Sequence, residues 1–129
     1  MYRSFPIILL TMIIVLVGCN QESEEPINQD DQLSTLAGNF IDQLSLANYE
    51  AAVEFFDETM ATEIPAETLN LLWQQLTTEM GDFDHYTVTE ITEMDGYNVV
   101  LLDGHFEDGQ VTFVISFDQQ SLIAGFYIH

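Results

Sequence analysis

The segment YNVVLLDGHFEDGQVTFVISF, Tyr97 to Phe117, decides the fold. Phe113, Ile115 and Phe117 alternate with Thr112 and Ser116, and a period of two sends successive side chains to opposite faces of a strand. Asp108-Gly109 interrupts the segment with the chemistry of a tight turn. The pattern predicts a hairpin of strands Tyr97–Phe106 and Val111–Phe117. Working outward, the same period predicts strands over Tyr86–Met94 and Leu122–Ile128, joined by turns at Asp95-Gly96 and Asp118 to Ser121. The simplest connection is an antiparallel meander. Two places break the alternation. The first strand shifts phase between Val88 and Ile91, and the second carries Asp103-Gly104 in its middle. Both are expected to be bulges, which would curve the sheet.

Upstream of Gly81 the period is helical. Leu33, Leu36, Ala37, Phe40, Ile41 and Leu44 follow the stripe of a half-buried helix, with Asp30 or Asp31 able to cap it. Asn48 can open a short second helix whose apolar side is Ala51, Ala52, Phe55 and Phe56. Pro65 suits the first turn of a third, with Leu69, Leu72, Trp73, Leu76 and Met80 inward and Gly81 at its end. The expected architecture is therefore α+β over residues 32–129: three N-terminal helices packed on a curved four-stranded antiparallel sheet.

The N-terminal part reads as an address. Phe5 to Val17 is apolar apart from Pro6 and Thr11, shorter than the roughly 20 residues of a membrane span and within the range of about 7–15 for a signal-peptide core. It ends in Leu16-Val17-Gly18-Cys19, which resembles a lipobox, the processing site of prokaryotic lipoproteins. The resemblance implies cleavage after residue 18 and a diacylglycerol on Cys19, bringing fatty chains of the palmitate type. Residues 19–31 would then be a lipidated cysteine and a flexible acidic tether. The expected location is the cell membrane, lipid-anchored, on the extracytoplasmic side. Cys19 is the one cysteine, so no intramolecular disulfide can form.

Charge bounds the partners. The chain has 22 Asp and Glu, one Lys or Arg, and a formal net charge of -21. One cation makes no phosphate-binding patch, so nucleic acid is excluded, as is electrostatic docking on anionic lipid. The hydrophobic fraction of 47% argues against a disordered acidic tail. The single cation, Arg3, lies in the expected leader. The exported chain would have no Lys or Arg, and self-repulsion would be strong at low ionic strength. A halophilic or haloalkaliphilic source is the expectation, because salt screens such repulsion.

Several segments together resemble DUF3887, a small family of unknown function in the NTF2-like group. They are Phe40-Ile41-Asp42-Gln43-Leu44 followed by Asn48-Tyr49-Glu50-Ala51-Ala52, then Phe56-Asp57-Glu58-Thr59-Met60 and Ile64-Pro65. Leu72-Trp73-Gln74-Gln75-Leu76, Gly81-Asp82-Phe83 and Phe117-Asp118 come next, and Leu122-Ile123-Ala124-Gly125-Phe126-Tyr127-Ile128 ends the run. The resemblance covers Leu33 to His129. It implies a cone with helices in the concavity of a curved sheet, and an accessory module of secreted proteins. Such modules also occur ahead of hydrolase domains, which the chain up to His129 is expected to lack. No catalytic motif comes with the resemblance.

Candidate chemistry is sparse. His85, His105 and His129 have no metal-ligand spacing, and the Asp-Gly pairs lack the twelve-residue loop of a calcium site. His105 and Glu107, with Asp118 or Tyr127, could form an acid/base pair, but no Ser or Cys nucleophile is placed to use it. Trp73, Tyr97, Phe113, Phe126 and Tyr127 could line a pocket, although aromatic stripes at such spacings are more often core. Trp73, Tyr97, His105 and Tyr127 are the candidate pocket residues. No cofactor, metal site or catalytic residue is expected. The expected function is a membrane-anchored binding or accessory domain with an unidentified protein or small-molecule partner. The alternative is a small-ligand carrier or an enzyme using the cone.

Overall fold

The computed structural model describes residues 28–129. The signal-peptide, lipobox and Cys19 expectations, and most of the tether, lie outside the described residues. Four helices come first: α1 (Gln29–Ser45), α2 (Tyr49–Val53), α3 (Glu58–Glu63) and α4 (Ala66–Met80). Four strands follow: β1 (Phe83–Met94), β2 (Tyr97–Phe106), β3 (Gly109–Phe117) and β4 (Ile123–Ile128). The sheet is a meander in the order β1-β2-β3-β4, antiparallel throughout, so the α+β architecture stands.

Helix α1 begins ahead of the expected boundary at residue 32. The Asn28 side chain accepts from the Asp30 N–H at 3.4 Å, and Asp30 and Asp31 sit in the first turn, where carboxylates favour the helix N-terminus. The buried face of α1 is Leu33, Ala37, Phe40, Ile41 and Leu44, with Leu36 only partly covered.

Helix α3 is one more helix than expected. Asp57 Oδ1 accepts from the Met60 N–H at 2.8 Å and starts it. Ile64, with φ -126 and ψ 75, ends it, because a residue before proline avoids the α region. The helix is six residues long and buries Met60 alone, too short for a periodic stripe. In α4, Leu69, Trp73 and Leu76 are buried, but Leu72 is 38% exposed and is not part of the inward face.

The phase shift in β1 is a bulge between Val88 and Glu90, as expected, with further irregularities at Phe83/His85 and at Ser116/Phe117. The bulge expected at Asp103-Gly104 is absent. Thr87↔Asp103, Tyr86↔Gly104, Asp103↔Thr112 and Gly104↔Val111 pair in unbroken register. Gly104 is there for space: a Cβ on it would run into Cε2 of Phe113 and come within 3.0 Å of Cζ.

Asp95-Gly96 forms the expected two-residue turn, both residues having positive φ (54 and 84). The next turn is one residue earlier than expected. Phe106 pairs with Gly109, so Glu107 and Asp108 are its central residues, and neither has positive φ. That turn is tied to the end of α4, Asp108 N–H donating to the Met80 carbonyl and Glu107 N–H to the Asp82 carbonyl. In the last turn Asp118 Oδ1 accepts from the Gln120 and Leu122 N–H groups at 2.9 and 3.0 Å. The start of β4 is covered by the α2–α3 corner: Ile123 N–H donates to Phe55 and Asp57 N–H to Ile123.

One hydrophobic core lies between the helices and the inner face of the sheet. Aromatic rings run through it. Trp73 touches Phe83, Phe106 and Phe113 with centroids 5.6, 5.8 and 6.2 Å away. Phe113 stacks on Phe126 at 6.0 Å, and Phe126 meets Phe40 edge-on at 5.1 Å. Such pairs contribute about 0.5–1.5 kcal/mol each beyond area burial. No polar or charged residue is buried among the described residues.

Candidate functional site

The alternation of β2 assigns its two faces. Val100, Leu102 and Phe106 belong to the core cluster, so Tyr97, Val99, Leu101, Asp103 and His105 face outward. Val99 is nonetheless only 6% exposed, and it is the one buried hydrophobic outside that cluster. Its cover comes from the outer face itself. Val99, Ser116 and Gly125 form one register row across β2, β3 and β4. They floor an open groove of about 310 Å³, with Tyr127 as one wall and Met94, Asp95 and Tyr97 as the other. Met94, Tyr97 and Tyr127 are 60%, 44% and 61% exposed. Large apolar side chains gathered at a concave place on a surface mark a binding site more often than scattered ones do.

The candidate residues named from sequence are not brought together. Trp73 lies in the core among Phe83, Phe106 and Phe113, so the cone interior is filled by side chains at the point expected to hold a ligand. A recess of about 480 Å³ opens at its rim, lined by Leu44, Tyr49, Trp73, Thr77, Asp82 and Phe83 among others. Tyr97 and Tyr127 share the outer groove. His105 is further along β2. Its ring stacks on His85 across the β1–β2 pair, centroids 4.3 Å apart and planes 13° apart. His85 Nδ1 and Asp84 Oδ2 are 2.9 Å apart, within hydrogen-bond distance.

The acid/base grouping around His105 does not assemble. Asp118 follows Phe117, which pairs with Asn98, roughly 23 Å from His105 along the strand at about 3.3 Å per residue. Tyr127 is aligned with Val114 and, through it, with Leu101. No group of three or more His, Cys, Asp and Glu able to hold a metal occurs among the described residues.

Two phenols have shifted titrations. Burial raises Tyr49 above its ordinary value of 10.0. Burial raises Tyr86 as well, with the charge of Asp42 adding to it. Both stay protonated at neutral pH and offer no base there.

A family model described as "Protein of unknown function (DUF3887)" matches residues 37–126. The chain belongs to the DUF3887 family. The matched span of this DUF3887 domain starts inside α1 and ends in β4, so it takes in the whole groove except Tyr127. No curated protein matches the chain. Tyr97 and Tyr127 are expected from sequence to share one pocket with Trp73, and the structure separates them from it. The signal that separates them is parity: Tyr97 differs by an odd number from Val100 and Leu102 on its own strand, and Tyr127 from Phe126 and Ile128.

Proposed function

We propose that the chain is an exported lipoprotein, held on the extracytoplasmic face of the cell membrane by lipid on Cys19, and that its DUF3887 domain binds a partner and catalyses nothing. One structural observation carries the binding role: the concave side of the sheet is filled by core aromatics, while Met94, Tyr97 and Tyr127 line an open groove on the outer side. The helices packed on an open antiparallel sheet support an NTF2-like grouping. The anchor rests on the apolar run ending at Gly18-Cys19. Among the described residues no helix is long and apolar enough to cross a membrane, and a diacylglycerol needs none, since two acyl chains give stable anchoring.

Membrane fractionation of Cys19→Ser tests the anchor. Release of the chain, or its accumulation as uncleaved precursor, is expected. Unchanged retention and processing would sink the proposal.

The charge supports a high-salt habitat. Without Lys or Arg after residue 18, carboxylates repel one another with little to offset them. At about 1 M salt the screening length falls to roughly 3 Å. Thermal unfolding in rising NaCl should show a midpoint increase of roughly 4–8 °C for each 1 kcal/mol of repulsion relieved. A midpoint flat from dilute buffer to molar salt would overturn the assignment.

A further inference from the structure

We infer that the outer-face groove receives an extended segment of another protein bearing an arginine or lysine between apolar residues. The inference rests on the binding role proposed above and names its partner's chemistry. The groove floor is built of small residues and is apolar apart from one hydroxyl: Val99, Ser116 and Gly125 in one row, with Ala124 beside them. Its walls are two phenol rings and a thioether. Long cationic side chains lay their methylene stems on such surfaces and keep the charged head at the edge. Aromatic faces attract the head as well.

The edge of the groove supplies the counter-charge. Asp95 and Tyr97 line both the groove and an adjoining recess of about 340 Å³, which also holds Asp118, Gln119 and Gln120. Asp118 Oδ1 is engaged by the Gln120 and Leu122 N–H groups, and its other oxygen accepts no hydrogen bond among the described residues. A head reaching from the groove into the recess meets Asp95 and then Asp118.

Charge also decides between occupants. A second copy would set Asp95 and Asp118 against their own likes, in a chain with one Lys or Arg against 22 carboxylates. A cationic partner gains from the same field, both in encounter rate and in choice of partner.

The test is calorimetric titration of the full chain, as isolated and in zwitterionic-lipid nanodiscs if membrane-bound, at the lowest NaCl concentration where it is fully folded by circular dichroism. The probe is the capped peptide SVRVRVS, with SVEVEVS as its counterpart. The arginine peptide should bind and the glutamate peptide should not. Tyr127→Ser should weaken binding roughly 10-fold, as a central aromatic contact does. Asp95→Asn should weaken it by roughly 3-fold, since exposed charge pairs contribute about 0.2–1 kcal/mol. Asn suits the positive φ of that position, so the fold is kept. The remote Glu58→Gln, on α3, should change affinity less than 2-fold.

No binding of the arginine peptide, or equal losses for Glu58→Gln and Asp95→Asn with none for Tyr127→Ser, would overturn the inference in favour of diffuse attraction. Self-association abolished by Tyr127→Ser would overturn it in favour of a second copy. The Cys19→Ser fractionation reads the anchor independently, so either part can fail alone.

Discussion

Phe40→Ala is expected to cost about 3–5 kcal/mol, the range for removing a buried phenylalanine from a tight core. Phe40 is fully buried on α1, and its ring meets three others: Phe56 at 5.4 Å, Phe55 at 6.1 Å and Phe126 at 5.1 Å. It thereby joins α1 to the α2–α3 corner and to β4. The neighbours cannot collapse into the gap together, because Ile123 is pinned to Phe55 and Asp57 by backbone hydrogen bonds. A domain of this size has a total stability of about 5–15 kcal/mol, so the variant would be marginal. Urea unfolding should show a large fall in midpoint with little change in slope. Phe40→Leu, which keeps most of the volume, should lose much less. A Phe40→Ala loss below about 1 kcal/mol would show that the ring junction is not what holds the helices on the sheet.

Gly104→Val should destabilise by about 1–3 kcal/mol or more, through overpacking instead of a cavity. Its Cβ would enter the Phe113 ring, and Phe113 cannot turn away freely, since Trp73 and Phe126 stack on it. Gly104→Ala should show the same direction with a smaller loss. Combining Gly104→Ala with Phe113→Leu should restore part of it, because the two sites share one space, and the departure from additivity is the diagnostic. Simple addition of the two losses would contradict this account.

The strand and turn chemistry from Tyr86 to Ile128 is local, and a period of two leaves its mark in any short window. The turn at Asp95-Gly96 could be read directly, because positive φ at both positions selects those residues. Gly104 could not. A glycine inside a strand marks a bulge or a close approach, and the choice between them depends on Phe113 of the neighbouring strand. Helix α3 was missed because six residues with one buried side chain carry no periodic signal. The turn at Glu107-Asp108 was displaced by one residue, because the backbone of Met80 and Asp82, far upstream, binds its N–H groups.

The candidate groove was legible as residue types and not as a place. Tyr97 and Tyr127 stood out as aromatics, but the parity that turns them outward has meaning only once Val100, Leu102, Phe126 and Ile128 are known to face the core. Once Trp73, Phe113 and Phe126 occupied the interior, the two tyrosines were left to the outer face with Met94.

The sequence alone determined the four strands, three of the four helices, the antiparallel order and the charge, since propensity, periodicity and composition belong to the chain before it folds. Tertiary structure decided that core aromatics occupy the inner side of the sheet and that Val99, Ser116 and Gly125 line up as a groove floor. Register is the physical reason: a shift of one residue would carry every side chain of a strand to the opposite face, and only the pairing of β2, β3 and β4 against a filled core sets it.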